Sequence, residues 1–318
     1  MNNKTFCRFP YFVHSLKIIM LSLIPALFFI SCKDEPEALP PTINLIFESG
    51  FNNNGDTVEV GKPIHFKVQA EGIDANLTNF TVKKYFDGQT KTVLDSGMNS
   101  TSFVTGLTYY QNVEGQVEWQ FAVMDRNRNT ASVSLTIIKD PNSVFGGIYE
   151  FSNIRMGYQT NYVYGHYFLP LLNKVYFGDS AELFQDKVDF LTYFNYKEDN
   201  GVLKPSPTFS SPGEEPTATG ELYDIYYPYL VNWTTRNYTK YDIRAVNGVT
   251  AEAFDNAHND SLLIVSYDDV WGKKKYKWAT DGLFIPFMTA TGKKGIIKVH
   301  QADLDSTGSI LFSLKMQM

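Results

Sequence analysis

The chain has 318 residues, 43% of them hydrophobic, with a formal net charge of −6, two cysteines and five histidines. That length and apolar content suit about two globular domains, each with a core of its own. An acidic balance argues against nucleic acid as a partner and against electrostatic adhesion to an anionic membrane.

Residues 1–17 carry Lys4, Arg8 and Lys17 and no acid, the run Ile18–Ile30 is apolar, and Ser31 precedes Cys32. A basic start, a short apolar run and a small residue at the cut predict a secretory signal peptide over 1–31. A transmembrane helix is the competing reading. The apolar run would span only about 20 Å of a ~30 Å hydrocarbon core, and Pro25 interrupts it. Ile30-Ser31-Cys32 resembles a bacterial lipoprotein box, although Phe29 stands where an aliphatic residue is usual. Lys33-Asp34-Glu35 resembles the surface-export signal of Bacteroidetes lipoproteins, and it is also an ordinary solvated linker. The resemblance implies an acylated Cys32, export directed by Lys33, Asp34 and Glu35, and a cell-surface position on the outer membrane. Several acyl chains would make that membrane attachment effectively permanent.

Removal of residues 1–31 leaves 287 residues with a net charge of −9. Cys7 would go with the signal peptide and Cys32 would carry lipid. No thiol then remains for a disulfide, a zinc site or a nucleophile. Residues 32–41, polar and proline-rich, read as a linker reaching at most about 30 Å.

From 42 to 140 the sequence alternates with period two. Ile64, Phe66 and Val68 share one strand face, Trp119 and Phe121 another, and Ala131, Val133, Leu135 and Ile137 a third. The breaks between these runs carry Asn, Asp and Gly, the residues of tight turns. Seven or so strands in ~100 residues suggest a β-sandwich. The run Asp125–Val133 resembles the last hairpin of bacterial immunoglobulin-like and PKD-like domains, with Arg128 where glycine is common. Such domains serve as spacers or docking modules.

Asp140–Ser143 reads as a boundary, and 144–318 as a β-rich α+β domain with short helices. The fold class expected for the whole chain is therefore mainly β. A weak duplication shows: Gly178–Phe184 matches Gly248–Phe254, and Lys187–Tyr193 aligns with Ser261–Tyr267. Each copy reads as a short helix capped by Ser180 or Thr250, followed by a buried strand. Pro205–Pro216 holds four prolines and reads as a loop, not a strand. Thr291–Val299 resembles a recurring ending of poorly characterised Bacteroidetes surface lipoproteins, a resemblance that brings no site residues with it.

No HxH or HExxH spacing, P-loop or nucleophile elbow is present, so no catalytic residue, cofactor or metal site is expected. Asp303 and Asp305 stand like the opening of a calcium loop, but the bidentate Glu is missing and a plain hairpin turn explains them as well. The densest aromatic stretch is Tyr223–Tyr241, with Tyr229, Trp233 and Tyr238 among amide and hydroxyl side chains. Trp271, before Gly272 and Lys273–Lys275, is a second candidate. Flat rings beside hydrogen-bonding groups are what a sugar requires, and core packing accounts for the same residues. Three functions stay open: a non-enzymatic surface lipoprotein that binds glycan beside an outer-membrane uptake complex, an adhesive envelope protein that binds another protein, and a hydrolase with distant carboxylates.

Overall fold

The computed structural model describes residues 38–318, so the expected signal peptide, Cys32, Lys33, Asp34 and Glu35 lie outside the described residues. The protein is mainly β, with few and short helices. Each of its four sheets draws its strands from one side of Asp140 only.

Eight strands build the first unit: β1 (Thr42–Leu45), β2 (Thr57–Val58), β3 (Pro63–Glu71), β4 (Leu77–Phe86), β5 (Gln89–Ser100), β6 (Ser102–Tyr110), β7 (Gln116–Asp125) and β8 (Thr130–Lys139). They form one sheet in the order β1-β3-β6 and another in the order β2-β8-β7-β4-β5, with β2 parallel to β8. This is an immunoglobulin-like sandwich. Its strands bury alternate residues, as Ile64, Phe66 and Val68 do in β3 and Val117, Trp119, Phe121 and Val123 in β7. Phe66 packs on Trp119 at 5.3 Å and on Phe121 at 5.0 Å between ring centroids, across the two sheets. Arg128 closes the last hairpin at φ 68°, the left-handed conformation that makes glycine common there. The buried Asp125 carboxylate accepts the Asn129 N–H at 2.8 Å and holds the turn.

The second unit is a two-sheet sandwich covered on its outer faces. Its strands are β9 (Ile148–Gly157), β10 (Tyr167–Leu169), β11 (Lys174–Tyr176), β12 (Phe190–Asp199), β13 (Val202–Ser210), β14 (Lys240–Asp242), β15 (Gly272–Lys273), β16 (Phe284–Met288), β17 (Lys294–Ala302) and β18 (Ser309–Gln317). One sheet runs β11-β10-β12-β13 and the other β15-β14-β16-β17-β18-β9. The main core lies between them, where Phe168, Phe190, Phe194 and Phe209 meet Ile285, Phe287, Ile297, Ile310 and Phe312. A second cluster covers the far side of the four-stranded sheet with Leu222, Tyr223, Tyr227, Leu230 and Trp233. A smaller one, around Phe254 and Leu263, covers the six-stranded sheet. Six consecutive residues of β12, Phe190 to Asn195, are consequently buried.

Two expectations for this unit fail. Pro205 and Pro207 belong to β13. They are tolerated because β13 is an edge strand. Their partners are Tyr196 and Phe194, and the Phe194 N–H and C=O turn away to Gln159, at 2.7 and 2.6 Å. The ring nitrogen of Pro207 therefore points away from the ladder, where no hydrogen bond to β12 is lost. The duplication also dissolves. Gly178–Glu182 and Ala251–Asp255 are both helical, but Ser261–Ser266 is a helix where Lys187–Tyr193 runs into strand β12. Thr250 caps its helix, accepting the Ala253 N–H at 3.1 Å, while Ser180 lies inside the other.

The two units meet closely. The Val60 N–H donates to Ser143 Oγ at 3.0 Å, the Asn259 amide donates to Val60 O at 3.2 Å, and Tyr110 stacks on His258. Gly147 sits against Asn112 and Val113, where any side chain would collide. Among the described residues, no helix is long and apolar enough to cross a membrane.

Candidate binding groove

The aromatic stretch 223–241 divides between core and surface. Trp233 is 3% exposed and packs on Tyr167 at 5.4 Å between centroids, so no ligand ring can stack on it. The candidate set therefore loses Trp233. Tyr229 is as exposed as Tyr238, but its hydroxyl is tied to that of Tyr167 at 2.8 Å and lies against Gly178. Tyr238 and Trp271 are exposed. Of the four candidates, Tyr238 lines a groove.

That groove follows the strip Gly272–Trp278, which stitches the two sheets together. Its first residues pair with β14, Tyr241 opposite Lys273. It then leaves for the free edge of β13, where Tyr276 and Phe209 exchange both backbone hydrogen bonds, at 2.9 and 3.0 Å. The Ala279 N–H donates to Pro207 O at 2.9 Å, an outward-facing carbonyl of the proline-bearing edge. Where the strip and β14 part, a largely apolar groove of about 680 Å³ opens between Gly272–Trp278 and Tyr238, Ile243 and Ala245. That volume falls in the range of small-molecule sites. Beyond Tyr238 a second groove of about 560 Å³ continues past Lys274 to Arg236, Thr234 and Gly213–Pro216.

The walls are held by buried ions. Asp242 is fully buried. Burial opposes its charge, yet hydrogen bonds from the Arg244 side chain and from the Arg244 and Asp268 N–H groups hold its carboxyl below the usual range. That clamp fixes the segment carrying Ile243 and Ala245. Glu214, 3% exposed, accepts from Ser210 Oγ at 2.7 Å and Lys275 Nζ at 2.5 Å, and so pins the strip from the other side. Trp278 adopts φ 55°, a conformation that bulky residues avoid at a cost of about 1–3 kcal/mol, and its indole N–H is buried without an acceptor. Strain of this kind concentrates at functional sites.

The groove residues form the run GKKKYKW directly after Trp271. Its aromatic-and-basic alternation was the available signal. At the other candidate, Asp303 accepts from the Ser309 N–H and hydroxyl, and Asp305 from those of Thr307, so both carboxylates serve a hairpin turn. Among the described residues no cluster of His, Cys, Asp or Glu is arranged to hold a metal.

No protein-family profile matches the chain, and no curated protein matches it. Among solved structures, a DUF4466 family protein from Parabacteroides merdae aligns over 88% of this chain and all of its own, at 15% identity and a TM-score of 0.41. The CARDB domain of a Pyrococcus furiosus protein, solved in complex with di-metal ions, aligns over 32% of this chain and 96% of its own, at 16% identity and a TM-score of 0.19.

Proposed function

We propose that the protein is a non-enzymatic, surface-anchored lipoprotein that binds glycan in the groove along Gly272–Trp278. One observation carries the reading: Tyr238, Tyr276 and Trp278 line a rigidly clamped, largely apolar groove of about 680 Å³ beside hydrogen-bonding side chains. Stacking contributes about 0.5–1.5 kcal/mol per ring beyond area burial, so several rings in one groove are needed. The anchor would be Cys32, with Lys33, Asp34 and Glu35 directing export, and the immunoglobulin-like unit would act as the spacer. Glycan-array screening of residues 38–318 tests the binding. Tyr238→Ala and Trp278→Gly should abolish it without lowering the melting temperature, since glycine accepts the backbone at 278. An array with no hits, or hits indifferent to both substitutions, refutes the reading. For the location, Cys32→Ala should release the protein from membranes, and persistent membrane attachment would count against lipidation.

A protein partner is favoured by a different surface. Val246, Val265, Val270 and Trp271 are all exposed, and hydrogen bonds join their segments: Ile243 N–H to Trp271 O at 3.3 Å and Arg244 to Ser266 O at 2.7 Å. Exposed apolar patches of this kind mark protein contacts. If a protein partner docks here, Val270→Asp should abolish its co-purification from native membranes. Trp278→Gly should not.

A further inference from the structure

The groove's charge runs against that of the molecule. The chain is acidic overall, yet Lys273, Lys274, Lys275 and Lys277 fall within five residues that contain no acid. Two of these cations are already neutralised, Lys275 by Glu214 and Lys274 by Glu215. Among the described residues, Lys273 and Lys277 have no ion-pair partner. Lys277 is partly buried, and its ammonium is held below the usual lysine range by that burial and by the nearby Lys275 and Lys197, against the opposing pull of Glu221 and Glu214. Past Tyr238, in the adjoining groove, the Arg236 guanidinium lies over the Tyr223 ring at 5.5 Å, with Nη1 buried and unbonded. Three cations without an ion-pair partner thus flank two exposed or half-exposed rings, Tyr238 and Trp278, with the Lys277 ammonium over the Trp278 ring at 5.8 Å.

We infer that the groove selects an acidic oligosaccharide, a chain of sugar rings carrying carboxylate or sulfate groups at intervals. This rests on the glycan-binding reading and narrows it. The ring faces lie on Tyr238 and Trp278, while the anions answer Lys277, Lys273 and Arg236. Partly desolvated cations reward an anion through charge-assisted hydrogen bonds, roughly twice as strong as neutral ones. A neutral sugar leaves them unpaired. A dense polyanion such as nucleic acid, with a charge about every 1.7 Å, would offer far more charge than three cations can meet. It would also meet the repulsion of an acidic body.

Titration calorimetry on the full chain in detergent micelles tests this with four probes of equal ring number: oligogalacturonates, their methyl esters, sulfated oligosaccharides and neutral cello-oligosaccharides. At least one acidic probe should bind tenfold or more tightly than the ester and the neutral chain, with an affinity that falls as salt rises. Whether the carboxylated or the sulfated probe wins identifies the anion. Lys277→Gln and Arg236→Gln should each remove most of that preference and preserve the melting temperature. Equal binding of charged and neutral probes, lost in Trp278→Gly, overturns the acidic selection and leaves the glycan reading standing. Failure of all four probes to bind sinks both. Tighter binding of an oligonucleotide of matched charge also overturns the proposal.

Discussion

The two units solve the burial of aromatic side chains differently. In the immunoglobulin-like sandwich, Phe66, Trp119 and Phe121 fill one core from two sheets whose outer faces meet water. The second unit covers both sheets on both sides, and tyrosine does much of the work. Tyr223 donates to Pro212 O at 2.6 Å, Tyr227 to Thr192 O at 2.7 Å and Tyr241 to Ser210 O at 2.7 Å. In each case the ring fills a core and the hydroxyl donates to a backbone carbonyl. A high tyrosine count there records covered sheets and long loops before it records ligand. Surface rings are scattered, Tyr162 and Tyr196 among them, and two, Tyr238 and Trp271, stand beside the strip 272–278.

The strongest test of this contrast is to remove one large ring from each unit. Trp119→Ala and Trp233→Ala should each cost about 3–5 kcal/mol, as other buried aromatics do. Calorimetry should show each shifting the transition of its own unit. One shared transition, moved by both, would mean that the joint at Val60, Ser143 and Asn259 makes the units a single cooperative body.

Asp189 sharpens the electrostatic side of the comparison. Burial pushes its carboxyl up to about 6 from 3.8, against the opposing hydrogen bond from Asn237. Between those values the folded protein keeps a proton that the unfolded chain has released, so stability falls as pH rises through that window. Asp189→Asn should therefore stabilise the second unit by about 2–3 kcal/mol at pH 7 and by little at pH 4. A gain independent of pH would show that the group is charged at no cost.

Smaller effects follow from single groups. Tyr227→Phe keeps the ring and strands the Thr192 carbonyl, for a loss of about 1–2 kcal/mol, which chemical denaturation can resolve. An unchanged midpoint would reduce the tyrosine hydroxyls to bystanders. In the sandwich, Arg128→Gly relieves a left-handed backbone and should stabilise by about 0.5–1 kcal/mol. A loss instead would show that the Arg128 side chain makes a contact worth more than the strain.

How much could be read from the residues follows the same division. The sandwich was legible because one-sided burial writes period two directly into β3, β7 and β8. β12 was harder, since Phe190–Asn195 is buried on both faces and loses its alternation. Ser261–Ser266 reads as a strand by composition and folds as a helix, because an apolar run that short carries no decisive period. β13 was hidden by prolines whose harmlessness depends on an edge position that only the fold assigns. At the site, local sequence showed which rings were dense, not which were covered. Trp233 lies under a cluster built from residues 167 to 230, while Tyr238, five positions on, reaches the surface.

The second unit begins and ends at one place. The Met318 N–H donates to Gly147 O at 3.1 Å, and Gln317 stands opposite Ile148 at the end of the β9–β18 ladder. A short peptide could therefore join residue 318 to residue 147, and new ends could be cut in an exposed turn such as Asn200–Gly201, between β12 and β13. Such a circular permutant would keep every strand pairing of the unit while detaching it from the sandwich. It would also make the unit a cassette that can be spliced into the loop of another protein, entering and leaving through a single point.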